Sequence, residues 1–190
     1  DLTGDVSTLS LLTGGNSVIT QAGGATITVP NLKVATGTGA ATLEANNSVT
    51  NFAAVTGGGG VSFYDTNGYT VTTVDSTTGI DTDAVNGGYV TLNTGGTLTL
   101  ASSVAASGNV GLTGTTGISI GADVTTTNDF LDFNSATTLT GPVTLDTGSG
   151  AITFGSTLTG PFNLVVGSAG DTNTTTFQGA ITNLGVGNGS

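Results

Sequence analysis

An apolar pattern that recurs about every 20 residues constrains this chain more than any other feature of its sequence. The two clearest copies begin at Val90 and at Val110, and in both the following apolar residues come at offsets of 2, 8, 10 and 14. The members are Val90, Leu92, Leu98, Leu100 and Val104 in the first copy and Val110, Leu112, Ile118, Ile120 and Val124 in the second. Repetition at this period is typical of chains that stack one small structural unit on the next.

Two fainter copies are predicted from the same pattern. One consists of Val143, Leu145, Ile152, Phe154 and Leu158, and it matches when a single residue is inserted in the loop at 148–150. The other consists of Val61, Phe63, Tyr69, Val71 and Val74, whose last member comes early. The repeat therefore extends well beyond the two clearest copies.

The spacing inside each copy indicates short β-strands. Pairs such as Val90 and Leu92 have the period of two that places side chains on one face of a strand, and Thr, Asn, Gly and Ser suit the outward faces and the turns. Three short strands in about 20 residues are typical of one coil of a parallel β-solenoid. The sequence predicts an all-β fold, a single β-solenoid segment over residues 1–190. It would have about nine coils and rise roughly 45 Å.

The charge balance excludes several classes of partner. One Lys+Arg residue and no His stand against twelve Asp+Glu residues, giving a net charge of -11. Without a basic patch we expect no binding to nucleic acid or to anionic membranes. No apolar run has the roughly 20 residues of a membrane helix, so we expect no direct membrane insertion. The chain has no Cys, which rules out disulfides and thiol chemistry.

Local signals refine the pattern along the chain. Residues 1–21 are irregular, and Leu9, Leu11, Leu12, Val18 and Ile19 form either a first, imperfect coil or an edge. Between Ala25 and Glu44 we expect strands at 26–29, 31–34 and 41–44, with Pro30 between two of them, where it costs no ladder hydrogen bond. The run 65–68 reads as a turn, and Pro142 and Pro161 follow Gly at corners.

The amino-acid sequence of one region resembles a known family. The run GGGGVSFYDTNGYTVTTVDSTTGIDT at 57–82, with GGYVTLNTGGTLTL at 87–100, resembles the repeats of large filamentous-haemagglutinin-like bacterial exoproteins. The resemblance covers roughly Asn46 to Gly160. It implies a right-handed parallel β-helix, export across the outer membrane, and a role as an adhesin or surface fibre on the bacterial cell surface.

Close carboxylates are the first candidates for chemistry. Asp81 and Asp83 form one pair, and Asp129 and Asp132 form another. Pairs of this kind cleave glycosidic bonds in sugar-processing enzymes. Such sites also need His, Arg or Lys to bind the substrate, and this chain has almost none. We therefore interpret these residues as solubilising surface charges and predict no catalytic residues.

Metal and nucleophile chemistry is disfavoured in the same way. Asp65, Asn67 and Gly68 resemble a fragment of a calcium loop, but a full loop needs six or more oxygen ligands, so a turn stabilised by Asn-Gly is favoured. Without His or Cys, transition metals lack their usual ligands and no imidazole is present to activate Ser or Thr. We predict no metal site and no cofactor.

Thr-x-Thr motifs suggest a second use for the outer surface. They would form outward hydroxyl ladders, as on ice-binding solenoids, although Thr is also a common outward strand residue. The motifs begin at Thr26, Thr70, Thr97 and Thr157 and do not recur at one offset in every coil. Glycosylation sequons begin at Asn46, Asn173 and Asn188, as expected by chance in such a composition. Lys33 is expected to be solvated.

These observations favour a non-enzymatic structural or adhesive module of a secreted bacterial surface fibre. The alternatives are a carbohydrate-binding, carbohydrate-processing or ice-binding solenoid, and a β-sandwich filament subunit. Apolar residues close to the C-terminus, Ile181, Leu184 and Val186, suggest an uncapped end. We therefore expect association end to end with a second copy, or with neighbouring repeats of the same protein, and surface glycans as further partners.

Overall fold

The computed structural model describes residues 6–82, 87–168 and 171–185, and its regular elements in these ranges are β-strands. In chain order they are β1 (Thr8–Leu12), β2 (Ile19–Thr20), β3 (Thr28–Thr36), β4 (Ala41–Thr56), β5 (Val61–Asp65), β6 (Gly68–Val71), β7 (Thr73–Val74), β8 (Thr77–Thr78), β9 (Ile80–Asp81), β10 (Val90–Thr94), β11 (Thr97–Leu100), β12 (Val104–Ala105), β13 (Val110–Gly114), β14 (Gly117–Ile120), β15 (Val124–Thr125), β16 (Leu131–Phe133), β17 (Thr137–Leu139), β18 (Val143–Asp146), β19 (Ile152–Phe154), β20 (Leu158–Thr159), β21 (Leu164–Val166), β22 (Thr175–Phe177) and β23 (Ile181–Thr182). Within the described ranges, no helix has the length and apolar character needed to cross a membrane.

Strands of successive coils pair in parallel. In the regular part of the stack each coil contributes three strands, so that β10, β11 and β12 pair with β13, β14 and β15, and these pair with β16, β17 and β18. The stack has about eight coils of roughly 21 residues, close to the nine coils of 20 residues predicted. The predicted β-solenoid is confirmed, and its parallel pairing rules out the β-sandwich alternative. The right-handed winding stays a prediction.

The two clearest sequence copies lie directly on one another. Their five pairs are Val90 with Val110, Leu92 with Leu112, Leu98 with Ile118, Leu100 with Ile120, and Val104 with Val124. All ten side chains are buried, and Ile118 is 2% exposed. The period of two therefore selects the inward residues correctly, because alternate side chains of a strand point to opposite faces.

The third copy was placed on the wrong strand. Leu145 pairs with Val124, so it lies on the third strand of its coil rather than the first. The residues that follow Val110 and Leu112 in register are Leu131 and Phe133. The error arose because Val-x-Leu occurs on the first strands β10 and β13 and also on the third strand β18. The corner after Phe133 is also shorter than the one after Leu112, which shifts the apolar pattern.

The fourth copy was correct except for its last member. Val61, Phe63, Tyr69 and Val71 pair with Val90, Leu92, Leu98 and Leu100. The fifth inward position, however, belongs to Ile80, which pairs with Val104. Val74 lies instead in an antiparallel hairpin of β7 and β8 that leaves the coil. Asp75 and Ser76 form its tip with φ of 45° and 65°, in the left-handed region that tight hairpin turns require.

The N-terminal segment belongs to the solenoid. β1 pairs with β3 and β2 pairs with β4, so the described part of the irregular segment, residues 6–20, forms a coil. Pro30 lies inside β3 and not between two strands, which corrects the prediction. The ladder between β3 and β4 has no pair at this residue, so the missing N–H is still tolerated. Pro142 and Pro161 lie at corners, as predicted.

Aromatic rings strengthen the stack at two places. Phe133 and Phe154 are stacked with ring centroids 4.6 Å apart, and Phe177 continues this stack at 5.1 Å. Nearer the N-terminus, Phe52 and Phe63 stack at 4.3 Å. Such stacking adds to the burial of apolar area between neighbouring coils.

Candidate functional site

The outer surface of the coils has three strips, one for each strand of a coil. Face one is the outer surface of β5, β10, β13, β16 and β19. Face two is the outer surface of β6, β11, β14, β17, β20 and β23, continued towards the N-terminus by β1 and by the parts of β3 and β4 in register with β6. Face three is the outer surface of β9, β12, β15, β18 and β21. Each strip carries columns of side chains that run along the stack.

The described carboxylates of the two candidate pairs lie at separate places on the solenoid surface. Asp81 is exposed on face three, as expected, whereas Asp83 lies outside the described residues. Asp132 lies half-buried on face one, and Asp129 lies at a corner, where its Oδ1 accepts the N–H of Phe130 at 2.9 Å. In the part of the chain that the structure describes, no group of three or more His, Cys, Asp or Glu could hold a metal ion.

Asp65 is buried rather than displayed in its turn. Its Oδ1 accepts the N–H groups of Asn67 at 2.8 Å and of Gly68 at 3.0 Å, and its Oδ2 accepts the N–H of Val49 at 2.7 Å. The predicted turn is confirmed, but the carboxylate of Asp65 stabilises it together with Gly68, whose φ is 109°. Three N–H donors compensate this buried carboxylate, so its role is structural.

A buried hydrogen-bond network centred on Asn47, which the sequence analysis missed, lies in the coil next to Asp65. The amide of Asn47 is fully buried. Its Oδ1 accepts Gln21 Nε2 at 2.6 Å and the N–H of Ile27 at 2.9 Å, and its Nδ2 donates to the carbonyls of Leu43 at 3.1 Å and Tyr64 at 3.0 Å. No periodic signal marks this residue, because a single polar residue inside a Thr- and Asn-rich stretch resembles its exposed neighbours.

Tyr69 has a buried hydroxyl with no hydrogen-bond partner among the described residues. Burial raises the pKa of this phenol well above its ordinary value, and the charge of Asp65 raises it further. Tyr69 therefore stays neutral, and its ring packs edge-on against Phe63 with centroids 4.9 Å apart. We assign it to the core.

Threonine side chains at one corner form a second feature that the sequence analysis missed. Each side chain is turned inward, and its hydroxyl donates to the carbonyl oxygen that closes the corner. The pairs are Thr36 with Gly39, Thr56 with Gly59, Thr82 with Gly88, Thr126 with Asp129, and Thr147 with Gly150. A Thr-x-x-Gly spacing after the third strand, present at Thr36, Thr56 and Thr147, would have been the signal.

Face two carries one continuous column of hydroxyl and amide side chains, which we call the hydroxyl column. Its members are Thr8, Asn31, Asn51, Thr70, Thr99, Ser119, Thr138, Thr159 and Thr182. The predicted Thr-x-Thr ladder does not form, because Thr97 has Gly68 and Gly117 as neighbours in adjacent coils. A single column therefore replaces the double array expected from the motifs.

Face one carries two exposed aromatic rings. The residue before each first strand occupies one column, in which Tyr89 and Phe130 are separated by Asn109. Tyr89 is 36% exposed and Phe130 is 44% exposed. Two residues further along each strand, Gly111 lies beside Asp132. We call Tyr89, Asn109, Gly111, Phe130 and Asp132 the aromatic patch.

Lys33 is bound rather than solvated, which corrects the prediction. Its Nζ lies 3.3 Å from Asp75 Oδ2 and donates to the Asp75 carbonyl at 2.9 Å. Ser10 Oγ donates to the same Oδ2 at 2.8 Å. These hydrogen bonds lower the pKa of the Asp75 carboxyl, Ser10 contributing most, and fix the tip of the hairpin to the outside of β1 and β3.

The predicted sequons are scattered. Asn46 is exposed and Asn173 is half-buried, while the third sequon, at 188–190, lies outside the described residues.

No protein-family model matches this chain, and searches of curated proteins and of solved structures found no match. The fold defines the class: a repeat protein of the β-solenoid type.

Proposed function

We propose that this chain is a non-enzymatic structural and adhesive module of an extended fibre on the bacterial cell surface. The observation that carries the proposal is the uninterrupted parallel pairing of about eight coils, which extends the molecule along one axis. At the usual strand spacing, such a stack rises roughly 40 Å. The resemblance of residues 57–100 to filamentous-haemagglutinin-like repeats supports export and a place outside the cell.

The outermost described coils support association along the same axis. β22 and β23 pair only with β19 and β20 in the described part of the chain. Phe177 is 40% exposed and Ile181 is 45% exposed there. At the opposite end the inward residues Leu9 and Leu11, whose partners Leu32 and Val34 are fully buried, are only half-buried. Unpaired strand edges and apolar side chains favour contact with another coil. That coil belongs to a neighbouring repeat or to a second copy.

Electron microscopy and sedimentation of the 190-residue chain test this association. We expect rods that join end to end as the concentration rises, since a contact between unlike ends produces open filaments. Ile181→Lys should suppress the joining, because it places a charge on the terminal coil. Val165→Lys is the matched control, because Val165 has a similar exposure, 53% against 45% for Ile181, but lies on face three. Particles that stay single at every concentration would contradict the end-to-end contact.

The surface location has its own test. In the source organism, antibodies raised against the chain should label fibres on the outside of intact cells. A signal confined to permeabilised cells would contradict the proposal, whatever the purified chain does.

A further inference from the structure

We propose that the aromatic patch on face one binds a linear, uncharged polysaccharide, with Tyr89 and Phe130 stacking against its sugar rings. This inference deepens the adhesive part of the proposed function. It rests on the register of the coils, the support beneath Tyr89, the free polar groups between the rings, and the charge of the chain.

The register fixes the backbone spacing of the two aromatic residues along the stack. Val90 pairs with Val110 and Val110 pairs with Leu131, so the preceding residues Tyr89 and Phe130 lie two coils apart in one column. Two strand spacings amount to about 10 Å. This is the length of two sugar units in an extended β-1,4-linked chain, in which alternate units turn the same face to one side. One such chain running along the stack therefore passes both aromatic residues.

The Tyr89 ring lies on the backbone of the coil below it. A Cβ built on Gly60 would lie 2.3 Å from Tyr89 Cε1, 2.4 Å from Cδ1 and 2.6 Å from Cζ, so the ring occupies the space over this glycine. One ring face is thus supported by protein while the side chain remains 36% exposed. A ring held in this way offers a rigid apolar surface, which suits the C–H groups on the face of a sugar ring.

Polar groups lie between and beside the rings. Asn109 separates Tyr89 and Phe130 in the column. Asp132 lies on the same outer face, two residues after Phe130. Neither side chain has a hydrogen-bond partner among the described residues, so both can bind sugar hydroxyls. Gly111 next to Asp132 has no side chain, and a Cβ there would meet nothing within 4 Å. A few polar groups beside aromatic surfaces are the usual composition of a ligand site.

The patch favours a neutral glycan over other partners. The chain has a net charge of -11, and its one basic side chain, Lys33, is paired with Asp75. Anionic polysaccharides are therefore repelled. The two rings are separated by polar groups and do not form the contiguous apolar core that a stable protein–protein interface requires.

Isothermal titration calorimetry tests the site with the hexaoses of β-1,4-linked glucose, mannose and xylose. We expect at least one hexaose to bind, and its disaccharide to bind at least tenfold more weakly because it cannot reach both rings. Tyr89→Ala and Phe130→Ala should each weaken binding about tenfold or more. Oligogalacturonate, an anionic chain of similar length, should bind much more weakly.

Two further variants separate a binding role from a general effect on the fold. Gly60→Ala keeps Tyr89 but displaces its ring, and Gly60 has no left-handed φ that would strain an alanine, so this variant should also weaken binding. Thr138→Ala in the hydroxyl column on face two is the matched control and should bind like the parent. Circular dichroism should show the same melting temperature for the parent and every variant, so that a loss of binding cannot be attributed to unfolding.

Three results would overturn the inference: no hexaose binds at millimolar concentration, binding survives the loss of both rings, or the anionic chain binds equally well. These outcomes are independent of filament formation. A chain that forms fibres but binds no glycan would refute the site alone, and a monomeric chain that binds glycans would refute only the end-to-end contact.

Discussion

The middle coils, residues 90–151, and the N-terminal coils, residues 19–82, fill their interiors in different ways. In the middle coils the inward strand positions are apolar except for Thr137, and most other buried polar side chains lie at corners. In the N-terminal coils Asn47 and Asp65 are completely buried. The strands there are also long, with nine residues in β3 and sixteen in β4.

The difference has a backbone origin. The register between β4 and β5 shifts between Leu43 and Asn47, so backbone groups near this shift lack a regular partner in the next coil. Buried N–H and C=O groups must be hydrogen-bonded. Asn47 and Asp65 supply those bonds to Ile27, Leu43 and Val49. An irregular coil thus needs polar side chains inside, whereas a regular coil does not.

Asn47→Ala should have the largest effect. It leaves the N–H of Ile27 and the carbonyls of Leu43 and Tyr64 without their partner, and we expect a loss of about 3–5 kcal/mol in the free energy of unfolding. Urea denaturation measures it. Asn93→Ala on the outer surface of β10 is the control and should change stability by less than about 0.5 kcal/mol. Equal losses of stability in the two variants would mean that the hydrogen bonds of Asn47 do not stabilise the irregular coil.

Thr126→Val should have a moderate effect. The variant keeps the shape of the side chain but removes the hydroxyl that donates to the Asp129 carbonyl, so we expect a loss of about 1 kcal/mol. Thr125→Val, at the adjacent outward residue, is the control for this denaturation experiment. Thr56→Val makes the same change in the N-terminal coils, and a similar loss would show that the corners are equivalent in both regions.

Asp75→Asn should have the smallest effect, because the carboxylate is exposed and its ion pair with Lys33 is screened by solvent. The folded-state pKa of Asp75 is lowered, so its stabilisation is present above the ordinary carboxyl pKa and is lost as the pH falls through the folded value. The parent should therefore melt slightly higher than Asp75→Asn at neutral pH, and the two melting temperatures should converge in acid. Asp132→Asn also removes one carboxylate charge, so it is the control for the effect of net charge on the melting temperature. A difference between parent and Asp75→Asn that persists in acid would contradict the assignment.

The sequence predicted correctly whether a side chain points inward or outward, because that direction depends only on the strand that carries it. Ile118 and Leu112 were assigned inward from the period of two, and both are buried. Prediction failed where the answer depends on a neighbouring coil. Leu145 was assigned to the wrong strand because Val-x-Leu occurs on both first and third strands, and only its pairing with Val124 resolves the ambiguity. Tyr89 and Phe130 were likewise unnoticed, since they are 41 positions apart in the sequence.

Local patterns in the sequence were enough to predict short strands with apolar side chains inside and Thr, Asn and Ser outside, because strand periodicity and turn preference are local properties. The clearest repeats also predicted that Val110 lies on Val90. The packing of the coils was needed to place Leu145 on its strand. It also decided that Val74 leaves the coil in a hairpin, that Asn47 and Asp65 are buried, and that Lys33 meets Asp75. The physical reason is that each of these features satisfies a hydrogen-bonding or charged group on a different coil, and no local pattern in the sequence records the identity of that partner.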